Sequence, residues 1–297
     1  TSFICDAIRN CNKPVPLIFA SSTQALLNNN YGQSKRAAEH LILALKKETG
    51  NETHILRLPN VFGKWSKPNY NSVVATFCHN IANDLPINID EPDKKLELLH
   101  IDDLIQELVQ LISGKHVGNT FIDIGATFEL TVKELAESLY KFNDGRNNLH
   151  IETVGSGVMR ALYSTFVSYL PKTRFKYPLP NHSDSRGDFI EIIKTPDAGQ
   201  FSYFTSKPGV TRGGHYHHTK TEKFLVIRGI ARFRFRNLIT NETFSLESSE
   251  DFAEIVETVP GWIHDITNIG KKDLICLLWA NEVFNSKIPD TYSAETI

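Results

Sequence analysis

One stretch constrains this chain more than any other. Residues 209–229 read GVTRGGHYHHTKTEKFLVIRG. They hold His215 and His217 as an HxH, then Glu222 after four further residues, then Gly229 behind an apolar run. A third histidine, His264, stands in PGWIHDITN. Successive side chains of a strand alternate faces, so an HxH sends both imidazoles the same way. Glu222 is expected on the next strand, after a polar turn of His218, Thr219, Lys220 and Thr221. His264 must then return from elsewhere, as a barrel of antiparallel strands allows. Such a mixed N/O set suits Zn, Fe, Mn or Ni and leaves positions open for water or substrate. The expected metal ligands are His215, His217, Glu222 and His264, with zinc foremost among the divalent ions.

The spacing resembles the cupin family. Gly209, His215, His217, Glu222 and Gly229 match every interval of its first motif, and Gly261, His264 and Asn268 match its second. Pro260 sits one place late, a departure that touches a turn and not a ligand. A second resemblance is to the cupin-like 3,5-epimerases of dTDP-sugars. Asp184, Arg186, Gly187, Phe189 and Glu191 spell DxRGxFxE, and Arg212-Gly213-Gly214-His215 is similar to their RGxH segment. That likeness implies that Arg186 and Arg212 hold a nucleotide diphosphate, for which the planar donor fork of Arg is suited. It leaves His215 as either a base or a metal ligand, because those epimerases use this region without metal.

The first half carries different chemistry. Leu17 to Ala20 form an apolar run that reads as a buried parallel strand ending in Ser21, Ser22 and Thr23. Ligands of open α/β sheets bind beyond the carboxyl ends of strands. Tyr31 and Lys35 follow at i, i+4 spacing, which puts them on one face of a helix. An ammonium beside a phenol favours the phenolate, and such a Tyr can exchange a proton with a sugar oxygen. With Arg57-Leu58-Pro59-Asn60-Val61-Phe62-Gly63, this set resembles the extended short-chain dehydrogenase/reductases. The resemblance implies catalytic roles for Ser22, Tyr31 and Lys35. It also implies nicotinamide contacts from Tyr31, Lys35 and Pro59, and a sugar-nucleotide contact from Asn60. His100-Ile101-Asp102-Asp103 is similar to a later segment of that family, and its Asp reads as the N-cap of a helix starting near Leu104. Leu130 to Phe142 reads as a further amphipathic helix.

The Gly-rich phosphate turn that should open a Rossmann unit does not precede Tyr31. The chain starts instead with SFICDAIRNCNKP, a helical pattern. The expected fold is therefore an α/β Rossmann-like part lacking its first dinucleotide-binding half, over residues 1–172, followed by an all-β cupin barrel over 173–297. The aromatic, Pro-containing segment 163–180 reads as packed between them.

Net charge is −2, which argues against a nucleic-acid partner. No apolar run is long enough for a membrane span, and the start has no signal-peptide pattern. Cys5, Cys11, Cys78 and Cys276 have no metal or redox spacing and suit a reducing, cytoplasmic setting.

A reductase-like part joined to an epimerase-type cupin resembles the CapF-type capsular polysaccharide synthesis enzymes. NYGQSK, FGKWSKPNYNSV, YSTFVSYLP, HYHHTKTEKFLV and PDTY carry the likeness. It implies a bifunctional homodimer acting on a UDP-sugar. The cupin would epimerise C3 of a UDP-4-keto-6-deoxy-N-acetylhexosamine, and NADPH would then reduce C4. The alternatives are a dehydratase or 4-epimerase with a non-catalytic metal- or sugar-binding cupin, and an Fe(II) oxygenase. Against a dehydratase, Thr23-Gln24 stand where those enzymes place an acidic pair.

Overall fold

The structure is a computed structural model. It describes residues 1–297 except 12, 115–117, 180, 185–186, 191–192, 194, 196–198, 283–286 and 296–297. Only the backbone is described for 181–184, 187–190, 200 and 202. In chain order the first elements are α1 (Ser2–Arg9), β1 (Leu17–Ser22), α2 (Asn30–Thr49), β2 (Thr53–Leu58) and β3 (Asn60–Phe62). Then come α3 (Val73–Ala82), β4 (Lys95–His100), α4 (Ile101–Ile112), β5 (Phe121–Ile122), β6 (Thr127–Thr131), α5 (Val132–Asn148) and α6 (Gly157–Val167).

Contacts divide the chain into two units, one of residues 1–62 with 93–131, the other of 63–92 with 132–297. In the first, β1, β2 and β5 form a parallel sheet with β2 central. Ile55 of β2 packs with Cys5, Ile8, Ile42 and Leu45 of α1 and α2. Its neighbour Leu56 packs with Leu99, Leu104, Leu111 and Ile122 on the other face. A strand covered on both faces is the mark of a doubly wound α/β sheet. A second small sheet has the order β3-β4-β6. Asn29 caps α2, its side chain accepting from Gly32 N at 2.7 Å.

The structure differs from three local expectations. Leu17 to Phe19 are only half-buried and Ala20 is exposed, because β1 lies at the edge of its sheet among the described strands. The N-cap position of helix α4 is held by His100, with no side-chain capping hydrogen bond, and not by an Asp. Asp102 and Asp103 instead fill its first turn, where carboxylates complement the helix dipole. The helix expected from Leu130 begins at Val132, since Leu130 and Thr131 belong to β6.

The second unit is built on antiparallel strands. These are β7 (Lys176–Pro178), β8 (Asn181–Asp184), β9 (Gly187–Ile190), β10 (Gln200–Ser206), β11 (Thr211–Tyr216), β12 (Glu222–Arg228), β13 (Ile230–Asn237), β14 (Thr243–Ser249), β15 (Glu254–Glu257), β16 (Trp262–Asn268), β17 (Leu274–Ala280) and β18 (Tyr292–Ser293). Two five-stranded sheets, ordered β10-β17-β12-β15-β7 and β14-β13-β16-β11-β18, form the cupin barrel. The alternation of IARFRFRN on β13 buries Ala231, Phe233 and Phe235 and turns Arg232, Arg234 and Arg236 away from the core. Phe175, Phe244 and Trp262 pack edge-on around one another.

The contact division does not fall at the expected boundary of 172. Residues 63–92 and 132–172 group with the barrel. Phe142 of α5 packs on Tyr163 and Phe166 of α6. Arg174 donates to Ala82 O and Asn143 Oδ1, both at 2.8 Å. The buried guanidinium of Arg146, on α5, pairs with the buried Glu257 on β15, which Lys223 of β12 also engages. These interactions join the helices to the strands within one unit.

Candidate active sites

The first site lies at the carboxyl end of β1. Ser22 is buried, and its Oγ accepts from Gln24 N at 3.2 Å, capping a short 3-10 turn over Thr23–Leu26. Tyr31 stands half-exposed in the first turn of α2. One turn later Lys35 extends its ammonium to Ala20 O at 3.0 Å, 5.7 Å from the centre of the Tyr31 ring. The ammonium therefore lies over the ring face and bonds to the strand. The three expected residues are thus gathered where β1 ends and α2 begins. Pro59 lines a cavity of about 280 Å³ together with Thr23, Arg57, Glu97 and Asp123. Asn60 donates to Glu97 O at 3.1 Å.

Beneath this surface lies a brace that the sequence reading missed. Glu39 is buried on α2 and accepts from Ser21 Oγ at 2.5 Å, and from Arg57 at 2.6 and 3.0 Å. Burial pushes its carboxyl up, but the hydrogen bonds from Arg57 and Ser21 outweigh that and leave it below the usual range. Its spacing was visible: Tyr31, Lys35 and Glu39 recur every four residues along one helix.

The second site lies inside the barrel. His215 pairs directly with His264 across the β11–β16 ladder, and the register shifts between Gly213 and His215. Gly213 has φ of +97°, and a Cβ there would stand 2.9 Å from His264 O. Glycine is needed for this bulge on both counts. The bulge re-aims the HxH so that the rings of His215, His217 and His264 cluster, with centroids 4.8 to 5.2 Å apart. Glu222, the first residue of β12 in the other sheet, supplies Oε2 at 3.3 Å from His217 Nε2 and 3.5 Å from His264 Nε2.

This set fits a metal ion. One ligand atom from each of the four residues lies within 4.8 Å of the others. His264 Nε2 is buried without a hydrogen bond. Burial, with His264 and His217 adding to it, pushes His215 down to about 4, and burial also lowers His264. Burial pushes the Glu222 carboxyl up, but the neighbouring imidazoles outweigh it and hold it well below its usual range. Neutral imidazoles at His215 and His264 beside an ionised carboxylate form the donor set a divalent cation requires.

Two residues of this site were not singled out from sequence. Lys220 places its ammonium 3.0 Å from Glu222 Oε1. Asp290 accepts hydrogen bonds from the turn between His217 and Glu222. The signal for Asp290 was its place in the PDTY segment. Arg212 is exposed on β11, its guanidinium 5.5 Å from the centre of the Phe204 ring. Arg186 and Glu191 lie outside the described residues.

Residues 4–125 match the NAD dependent epimerase/dehydratase family, and residues 182–292 match the polysaccharide biosynthesis C-terminal domain. The fold and these matches define a short-chain dehydrogenase/reductase part followed by a cupin-like barrel. A UDP-2-acetamido-2,6-beta-L-arabino-hexul-4-ose reductase of Pseudomonas aeruginosa is 52% identical over 293 residues, spanning 99% of this chain and 79% of that protein. The crystal structure of capsular polysaccharide assembling protein CapF from Staphylococcus aureus superposes with a TM-score of 0.64 at 41% identity, over 99% of this chain and 80% of that one. UDP-glucuronic acid decarboxylase 3 of Arabidopsis thaliana is 27% identical over 110 residues, covering 37% of this chain and 32% of that protein. The chain belongs to the CapF-type family of UDP-sugar reductases of polysaccharide biosynthesis.

Proposed function

We propose that this chain is a bifunctional nucleotide-sugar enzyme. Its cupin part, within residues 173–297, inverts C3 of a UDP-4-keto-6-deoxy-N-acetylhexosamine. Its reductase part, within residues 1–172, then reduces C4 with NADPH. The product is a UDP-6-deoxy-N-acetyl-L-talosamine-type precursor of N-acetyl-L-fucosamine, for capsule or O-antigen. The observation that carries this reading is the 52% identity, over 99% of the chain, to a protein named for reduction of a UDP-hexul-4-ose.

The ketone decides the order of events. A 4-keto group acidifies the proton on C3, so that proton can be removed and returned on the other face. Reduction destroys the ketone and traps the epimer, so epimerisation comes first. In the barrel, His215, His217, Glu222 and His264 would hold a divalent metal, zinc foremost. Such an ion supplies Lewis-acid polarisation of a carbonyl when bound. His215 serves as ligand or as the base at C3, and its low basicity keeps it neutral at pH 7. Arg186 and Arg212 hold the diphosphate.

In the reductase part Tyr31 donates a proton to the C4 oxygen as hydride arrives, while Lys35 and Ser22 orient the phenol and the carbonyl. Pro59 borders the nicotinamide and Asn60 the sugar nucleotide. Among the described residues, no helix is long and apolar enough to cross a membrane. We assign the enzyme to the cytoplasm, as a homodimer.

Product analysis tests the reading. Incubation with the UDP-4-keto sugar and NADPH should yield, by NMR, a sugar inverted at C3 and reduced at C4. A product reduced at C4 with C3 unchanged would remove the epimerase half of the proposal.

A further inference from the structure

We infer that Asp290 is a positioning residue for the histidine–glutamate site, holding it through both its main-chain and side-chain oxygens. The inference rests on the metal reading given above.

His217 and Glu222 flank a four-residue turn, and each must be aimed before the two can share an ion. Asp290 reaches this turn from far along the chain. Its main-chain carbonyl lies 2.5 Å from His217 Nδ1. A carbonyl only accepts, so it selects the tautomer with the proton on Nδ1 and leaves the Nε2 lone pair facing Glu222. Its carboxylate accepts from His218 N at 2.8 Å and from Thr219 N and Lys220 N at 2.7 Å. The Thr219 hydroxyl donates to it at 3.0 Å, and Arg160 lies 3.7 Å away. Three successive N–H groups converging on one carboxylate fix the turn's backbone. Fixing Lys220 also aims its ammonium at Glu222 Oε1, so that Oε2 is the oxygen left toward His217 and His264.

The turn has a second brace that separates positioning from mere folding. Asn281 accepts from Thr221 N at 3.0 Å and donates to Thr219 O at 3.3 Å, without touching His217. Loss of Asn281 loosens the same turn but leaves the Asp290 carboxylate on it, whereas loss of that carboxylate also frees the segment whose main-chain carbonyl meets His217. Partners that orient a metal-binding histidine typically alter metal affinity by about 10- to 100-fold.

The test uses the whole chain, freed of metal. Zn²⁺ affinity is measured by competition with a chromophoric chelator, and ligand geometry by the visible absorption of bound Co²⁺. D290A should weaken Zn²⁺ binding by about 10-fold or more and alter the Co²⁺ spectrum. D290N keeps one acceptor oxygen and should fall between D290A and the unmodified protein. N281A should lower stability with a smaller loss of affinity. D290A with unaltered affinity and spectrum, or N281A losing as much affinity as D290A, would overturn the inference while leaving the metal reading intact. If D290A does not fold, hydrogen exchange on the unmodified protein decides: Zn²⁺ should slow exchange at the amides of His218, Thr219 and Lys220, and unchanged rates there overturn the inference. An unmodified protein that takes up no Zn²⁺ would contradict the metal reading itself, and the inference with it.

Discussion

His215 and His264 are direct partners across the β11–β16 ladder, and their ring centroids lie 4.8 Å apart. Two residues 49 positions apart in the sequence thus form one donor pair. Glu222 approaches that pair from the opposite sheet, its Oε2 3.5 Å from His264 Nε2. Replacing Glu222 by Gln keeps the shape and removes the charge. E222Q should bind zinc at least about 10-fold more weakly than the unmodified protein, because one anionic ligand is lost. Metal content after dialysis against a weak chelator checks this.

The bulge that brings the histidines together makes a second prediction. At φ of +97°, with His264 O 2.9 Å from any Cβ, Gly213 has no room for a side chain. G213A should cost about 1–3 kcal/mol of stability. It should also weaken zinc binding, because the ladder must shift where His215 meets His264. Thermal unfolding with and without zinc measures both effects, and a smaller zinc-induced rise in Tm is the expected sign.

Glu257 joins helix and barrel in the second unit, fully buried between Arg146 and Lys223. Burial alone would raise its carboxyl, yet the two cations outweigh that and hold it at about 2. A carboxyl depressed on folding stabilises the native state at all pH above its unfolded value of 4.5, and the contribution fades as pH falls toward 2. E257Q should therefore destabilise the barrel by about 3–5 kcal/mol at neutral pH, by leaving buried cations uncompensated. The gap between the variant and the unmodified protein should narrow in acid. Urea unfolding at neutral and acid pH reads the difference.

The two proposed chemistries fall to different residues, so they should separate. Y31F removes the proposed proton donor for the C4 oxygen and should lower the rate of reduction by about 10²–10⁴. Proton exchange at C3 should persist in that variant. Loss of both activities in a folded Y31F protein would contradict the division of labour.

Local pattern made much of this legible. The HxH, the following Glu and the later His sit in strands whose alternation is plain in sequence, so the barrel and the clustering of these four residues could be read directly. Tyr31 and Lys35 were legible because helical spacing is short-range. Glu39 was missed since its partners, Ser21 and Arg57, come from two strands, and only the parallel pairing of β1 with β2 brings them together. Asp290 was missed for the same kind of reason: a carboxylate late in the chain caps a turn that is seventy residues earlier, and no periodicity links them. The contact division was illegible because nothing local marks Arg146, in the last turn of α5, as a buried cation. Its burial depends on Glu257, in a strand far along the chain.

The role proposed for the barrel is chemistry at C3. The direct measurement is deuterium exchange: a UDP-4-keto-6-deoxy-N-acetylhexosamine is incubated with the protein in D₂O without nicotinamide, and the C3 proton is followed by NMR. The unmodified protein should exchange this proton, and H215A should not. A folded, unmodified protein that leaves the C3 proton in place would contradict that role and reduce the barrel to a binding module.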